Sequence, residues 1–489
     1  MNKATSLGIV FIFSMNCFLG SATYASPSAG KLEKFIGDNQ FSSNVFELNS
    51  RAGVVGAPQN QPWSGTFWPL RSGSTGNAYN DQIINGSFIF KVSQLFSVKA
   101  KIKSFHKRMS DLRAMIATNK LDAKKIDNLS PAEKYDLYLS DYDFSFTNAE
   151  WQSVSEQFDY IGRISLWEGS CHGWSQAAIH EPRPSRAINV MSLDGKYLIP
   201  FYPDDLKGLA TRLWANSLIQ DYTVSQGLRC NKNNPITDPA TGKVLDANCE
   251  GVNPGDFHVS VLELVGKRKQ SFVMNRKNTK SVWNQPVAGY ELHYFNPATE
   301  EIGELNQSVV RLENYNDPYK NFRTDAVKSV VGVEMDLKYS SETAPSHASS
   351  NGVSDDKIKT LSVRYDLELD QNNSIIGGEW RNSVDPTGFS NDSSGSSDES
   401  VGAPQYPGFL WKFADAHPIA YSEADTDIPG NDLSKVDVSI LIAASKKAAQ
   451  FRYNHYNYDA KGNATTVKRA ELKPQPLEKV VSTLIDLAK

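Results

Sequence analysis

The chain has 489 residues, 40% of them hydrophobic, 22% charged and 11% aromatic. That is the composition of an ordinary globular protein, long enough for two or three domains and a large core. Its formal net charge of −4, with no long basic run, argues against nucleic acid as a partner. After the N-terminus no stretch offers the roughly 20 apolar residues that a spanning helix needs.

At the start, Lys3 precedes an apolar run, Leu7–Leu19, followed by the small residues of GSATYAS. This pattern predicts a signal peptide over 1–25, cleaved after Ala22 or Ala25, and a secreted or periplasmic protein. A buried first strand or helix is the alternative. Residues 26–145 are expected to form an N-terminal helical region. Within it, Val92, Leu95, Phe96, Val98, Ile102, Phe105, Met109, Leu112 and Ile116 recur at helical spacing over 90–120. The opposite face carries Lys99, Lys101, Lys103, Lys107 and Arg108. It reads as a solvated face, or as one side of an inhibitory pro-segment lying over a cleft. In LSPAEKYDLYL, Ser130, Pro131 and Glu133 are start-of-helix signals.

A catalytic domain with an antiparallel sheet is expected over 146–430. WEGSCHGW (Trp167–Trp174) leads into a helix-capable run. FHVSVLELVG (Phe257–Gly266) and SFVMN (Ser271–Asn275) read as two strands around a charged turn. Residues 309–385 are β-like, interrupted by ETAPSHASSNG and followed by SNDSSGSSDES, both loop or linker compositions. Residues 431–489 form a C-terminal extension, read as two helices around a polar break. The fold class expected is α+β, helical at the N-terminus and β-rich in its second half.

Cysteine arithmetic gives the first chemical clue. Cys17 lies in the signal-like segment, leaving Cys171, Cys230 and Cys249. Cys230 and Cys249 flank a turn-rich stretch of a length that a disulfide closes readily, so Cys171 is left as the free thiol. A cysteine opening a helix has its thiolate favoured by the helix dipole, and backbone N–H groups there receive a developing oxyanion. Gly169 and Gly173 would let a substrate backbone come close. A buried structural cysteine is the alternative.

Among eight histidines, His258 in NPGDFHVSV is the candidate base, placed at a strand start beside a loop; a structural histidine is the other reading. His172 and His180 lie close in sequence to Cys171. His106, His347, His417 and His455 read as surface or packing residues. Asn275, on the return strand, is the candidate to orient the imidazole, with Asn284, Asp256 and Asn253 as rivals. The order Cys171, His258, Asn275 is papain-like, but 258 − 171 = 87 residues separate thiol and imidazole, against roughly 130 to 150 in papain. No zinc-type His/Cys spacing and no EF-hand calcium loop is present. Acidic loops such as SEADTD (Ser422–Asp427) offer weak calcium sites at most, so no cofactor is expected and calcium has no motif to support it.

Several blocks carry a family resemblance. VWNQPVAGYELHY (Val282–Tyr294) resembles the signature peptide of the oomycete transglutaminase-elicitor family. GSCHGW resembles its cysteine motif, and NPGDFH its histidine motif with Asp256 at the variable place. SPAEKYDLY, GGEW (Gly377–Trp380) and PGFLW (Pro407–Trp411) resemble further blocks, so the likeness runs from about residue 60 to 415. Ala288 stands where the family peptide is basic, and MNR where its preceding strand ends in an acidic residue. The resemblance implies a papain-like, transglutaminase-type core and a protein-glutamine γ-glutamyltransferase acting on glutamine- and lysine-bearing proteins. Cys171 would then form the thioester and His258 act as base. Trp167, Trp174 and Trp283 would line an acyl channel, unless they are core. A secreted papain-like cysteine protease shares the thioester chemistry. A secreted recognition or elicitor protein without catalysis is the third reading.

Overall fold

The computed structural model describes residues 29–80, 98–216, 223–232, 235–278, 281–381, 406–413, 436–448, 454–458, 464–469 and 476–489. The signal-like segment, the start of the 90–120 helix, the serine-rich stretch 390–400, the acidic loop 422–427 and His417 lie outside them.

Two short helices, α1 (Ala29–Ile36) and α2 (Val45–Ala52), come first, followed by the long α3 (Val98–Ala117). The helix α4 (Pro131–Tyr138) begins as its sequence predicts. Ser130 accepts from the Glu133 N–H and Glu133 reaches back to the Ser130 N–H at 2.7 Å, satisfying two orphan donors reciprocally. The same Glu133 pairs with Arg108 of α3 at 2.6 Å. Next come α5 (Ser145–Ile161), α6 (Cys171–His180) and α7 (Pro203–Asn216). Phe105, Met109 and Leu112 of α3 are buried against this group, with Phe105 stacked on Trp151. The face of α3 opposite its lysines is therefore a packing face.

An antiparallel sheet forms the other half. Its main strands are β1 (Thr223–Gly227), β2 (Val273–Asn275), β3 (Asn284–Phe295), β4 (Ser329–Ser340), β5 (Ile358–Leu369), β6 (Ile375–Trp380) and β7 (Phe409–Phe413). They lie in the order β6-β5-β4-β3-β2-β7-β1. The sheet curls around the helix α8 (Pro254–Ser260), which touches both edge strands. Gly255 packs against Gly377 of β6, and Ser260 Oγ donates to Gln226 of β1 at 3.2 Å. The architecture is the α+β class expected.

One expected strand is a helix. FHVSVLELVG continues α8 into a π-helical segment, Val261–Lys267. Asn253 caps the start, accepting from the Gly255 N–H at 2.9 Å, and Pro254 fills the first helical position. Enclosed by a curled sheet, the segment is buried on every side, polar His258, Ser260 and Glu263 included, so no exposed polar face marks a helical period in its sequence. SFVMN does form a strand. Between the two C-terminal helices, α9 (Val438–Ala448) and α10 (Glu478–Leu487), the polar break contains a strand pair, Asn454–Tyr458 with Ala464–Arg469.

The hydrophobic interior divides in two. One core unites α3 to α7 with α10, whose Val480, Val481, Leu484 and Ile485 are fully buried. The other unites the concave sheet with α1, α2 and α8. The expected segments do not follow this division. Residues from 26–145 enter both cores, Leu32, Phe35 and Leu48 the second and Phe105, Tyr135 and Leu137 the first. The C-terminal extension is integral to the first. Cys230 and Cys249 are joined as a disulfide, with Cα atoms 4.4 Å apart.

Candidate active site

Cys171 is the first residue of α6 and the free cysteine among the described residues. The turn before it is held by the chain itself. The Ser170 N–H donates to Phe67 O at 2.6 Å, and Arg212 donates to Ser170 Oγ at 2.7 Å. Gly173 lies so close to α7 that a Cβ would come within 2.2 Å of Thr211 O, and one on Gly169 within 2.6 Å of Phe67 O. These glycines serve the packing of the protein's own helix, in place of the substrate approach expected of them.

Cys171 is 5% exposed, and its thiol meets the start of β3. Asn284 Nδ2 donates to Cys171 Sγ at 3.4 Å, and Val282 O lies 3.8 Å from the sulfur. Asn284 Oδ1 accepts from Trp411 Nε1 of β7 at 2.9 Å. An indole nitrogen only donates, so the tryptophan fixes which end of the amide faces the sulfur. Burial pushes the thiol above the ordinary cysteine value. The Asn284 donors and the His172 N–H pull the other way, and the Glu342 charge adds to the rise. Desolvation thus outweighs the helix terminus that was expected to favour thiolate.

His258 is elsewhere. It lies on α8 in the second core, its Nδ1 paired with Tyr365 Oη at 2.8 Å and its Nε2 buried without a partner. Burial pushes it down to about 3. Its ring stands 6.4 Å from that of Tyr294. His258 and Cys171 share no hydrogen bond: the imidazole pairs with Tyr365, and the sulfur meets Asn284 and Val282 at the start of β3. Nor does Asn275 reach His258. Its Nδ2 donates to Lys277 O at 2.8 Å and its Oδ1 accepts from Trp283 N at 3.0 Å, so both ends close the β2–β3 connection. Of the rivals, Asn253 caps α8, Asp256 keeps a buried oxygen without a partner, and Asn284 sits at the thiol.

His172, next to the nucleophile candidate, is pushed down to about 4 by burial, with Arg212 adding to the effect. His347 stacks on Tyr202 with centroids 4.0 Å apart. Among the described residues no imidazole makes a hydrogen bond to Cys171, and no group of three His, Cys, Asp or Glu side chains could hold a metal ion.

The three tryptophans separate. Trp174 is core, donating to Trp63 O at 3.3 Å. Trp167 lies under the Arg229 guanidinium. Trp283, flanked by Val282 and Asn284, packs edge-on against Phe67 with its Nε1 buried and unpartnered. Its two chain neighbours are the residues that meet the thiol. Sequence reasoning missed Trp411, Glu342 and Tyr365, and gave Asn284 a different partner. The signal was nonetheless in hand, since VWNQPV and PGFLW, two of the resemblance blocks, meet at Cys171.

A buried thiol opening a packed helix, with an oriented amide at its sulfur, defines an α+β protein with a candidate thiol centre. The chain belongs to the transglutaminase elicitor family, whose sequence model matches residues 29–387. It is also similar to a solved structure, the GP42 transglutaminase from Phytophthora sojae. The two are 22% identical over 86% of this chain and 97% of that one, with a TM-score of 0.48. No curated protein matches it. No described helix is long and apolar enough to cross a membrane.

Proposed function

We propose that the chain is an exported thiol acyltransferase, a protein-glutamine γ-glutamyltransferase with Cys171 as nucleophile. The observation that carries this reading is the amide of Asn284 aimed at the Cys171 sulfur at the start of α6, in a chain of the transglutaminase elicitor family. Sγ attacks the side-chain amide carbon of a substrate glutamine. The thiol proton goes to the departing nitrogen, ammonia leaves, and a thioester remains. A primary amine then attacks the thioester, the C–S bond breaks, and the thiol is restored. Neither step needs an oxidant or a metal.

Burial helps and hinders this chemistry. It keeps the resting thiol protonated, and it strengthens every hydrogen bond offered to the sulfur and the oxyanion. The N–H groups at the opening of α6 and the Asn284 amide are the donors at hand. His258 enters this reading as a structural residue of the second core. The disulfide and the apolar N-terminal run support export.

The test is incorporation of a labelled primary amine into casein, with ammonia release followed in parallel, for the wild type and Cys171→Ala. Amine uptake and ammonia release that both vanish with the thiol support the transferase. Uptake that survives the substitution overturns it. Peptide-bond cleavage without uptake assigns a protease, and inactivity of the wild type in every assay assigns a recognition protein.

A further inference from the structure

The two residues that meet the Cys171 sulfur, Val282 and Asn284, close the β2–β3 connection, whose last ladder pair is Asn275 with Asn284. Asn278 lies inside that connection, four residues (282 − 278) before Val282, and is 3% exposed. Its amide is used at both ends. Oδ1 accepts from the Cys230 N–H at 3.1 Å, and Nδ2 donates to Cys249 O. Those two cysteines are 19 residues apart in the chain, and their disulfide sets the Cα atoms 4.4 Å apart. One short amide spans an N–H from the first and a C=O from the second while the two backbones are held that close.

The disulfide region touches the thiol centre by two further routes. A Cβ on Gly408, just before β7, would come within 3.1 Å of the side chains of Asn275 and Asn278, and one on Gly227 within 2.5 Å of Gly408 O. β7 carries Trp411, whose indole orients Asn284. On the other side of the nucleophile, Arg229, the residue before Cys230, lies over the Trp167 ring at 5.8 Å. Trp167 is four residues (171 − 167) before Cys171. Cys230 and Cys249 are 0% and 1% exposed, so the bond is sealed once the chain has folded around it.

We propose that the Cys230–Cys249 disulfide, acting through Asn278, is a positioning element of the thiol centre. It sets the β2–β3 connection so that Asn284 faces Cys171, and the centre becomes competent when the disulfide closes. Resting on the reading of the chain as an exported transferase, this keeps the thiol idle in the reducing compartment where the chain is made. Closure joins two thiols with loss of two electrons and two protons, which a disulfide oxidant accepts in becoming a dithiol.

Two variants open the link at different points. Cys230→Ser with Cys249→Ser removes the disulfide, whereas Asn278→Ala leaves it closed and removes the amide. Each is assayed well below its own melting temperature. The pH midpoint of Cys171 alkylation by iodoacetamide, which needs no turnover, rises by up to about one pH unit in both, because a donor to the sulfur is lost. All three substitutions together raise it no further than the cysteine pair alone, since both act through one link. The kcat for amine incorporation falls about tenfold, with the KM for the glutamine substrate moving less than about twofold. An unchanged midpoint overturns the proposal, as does a fall, the sign of water entering a loosened site, or a rise that adds across the variants. If the cysteine variant does not fold, Asn278→Ala decides alone. A wild type that releases no ammonia overturns the transferase reading and leaves the alkylation test of the positioning role in force.

Discussion

Cys171 and His258 sit in mirror-image circumstances. Each is buried, each is held in its neutral form by loss of water, and each meets an oriented side-chain partner, Asn284 for the thiol and Tyr365 for the imidazole. They differ in what surrounds them. The thiol lies at the opening of β3, between the Asn284 amide and the Val282 carbonyl. The imidazole is enclosed by Phe257, Tyr294 and Tyr365 inside the curl of the sheet. A nucleophile and a base at papain-like order in a sequence are therefore no guarantee of a pair in space. Which element enters the curl decides it.

The largest effect should break the comparison outright. Cys171→Ala is expected to reduce transferase turnover to background, on the order of a 10^6-fold loss for a nucleophile. His258→Gln is expected to leave turnover within about threefold under conditions where the variant stays folded. Steady-state amine incorporation checks both, and losses of equal size would restore the Cys–His pair.

Next in size is a stability difference between the halves. Lys134 and Asp205 form an ion pair at 2.6 Å with neither side chain exposed, and Asp205 also accepts from Tyr79 Oη and the Tyr202 N–H. Lys134→Met removes one charge and strands the other, which costs about 3–5 kcal/mol. Urea unfolding reads this, and the double variant Lys134→Met with Asp205→Leu should recover part of it. Recovery to no degree would show that the pair itself is not the source.

The third effect is a pH dependence. His258 has a folded value of about 3, below its ordinary 6.5. Between those values the unfolded chain binds the extra proton. The His258 contribution is thus fully present above pH 6.5 and is lost as pH falls toward 3, at about 1.4 kcal/mol per pH unit. Asp256, raised to about 6 by burial on the same helix, runs the opposite way between 3.8 and 6. The wild-type curve alone therefore hides the imidazole. The difference in unfolding free energy between wild type and His258→Gln exposes it, shrinking as pH falls from 7 to 4. A pH-independent difference would contradict a neutral, sealed imidazole.

What was legible in the sequence was local. The capping box of α4, the strand patterns of β4 and β5 and the disulfide by cysteine count all rest on residues near one another or on chemistry with few combinations. The helix α8 was misread because a segment buried on every side has no polar face to mark its period. The site was half legible. Cys171 stood out as the odd thiol at a helix opening, but Asn284 is 113 residues (284 − 171) away and Trp411 further still. Their meeting depends on β2, β3 and β7 being neighbours in the sheet, which no spacing in the chain encodes.

That meeting supplies the smallest effect, and the one that sharpens the comparison most. Trp411 Nε1 holds Asn284 Oδ1, so Nδ2 faces the sulfur and favours thiolate. Trp411→Phe keeps most of the aromatic packing and removes the donor. The amide is then free to turn its oxygen toward the thiol, which favours the protonated form. One neutral hydrogen bond is worth about 1 kcal/mol, so the pH midpoint of Cys171 alkylation should rise by up to about one pH unit. The melting temperature, measured alongside, distinguishes this from loss of fold. An unchanged midpoint in a folded variant would show that the tryptophan only packs. A raised midpoint would make the Trp411–Asn284–Cys171 chain the counterpart, at the thiol, of what Tyr365 does for His258: it fixes the orientation of a group that burial has already made neutral.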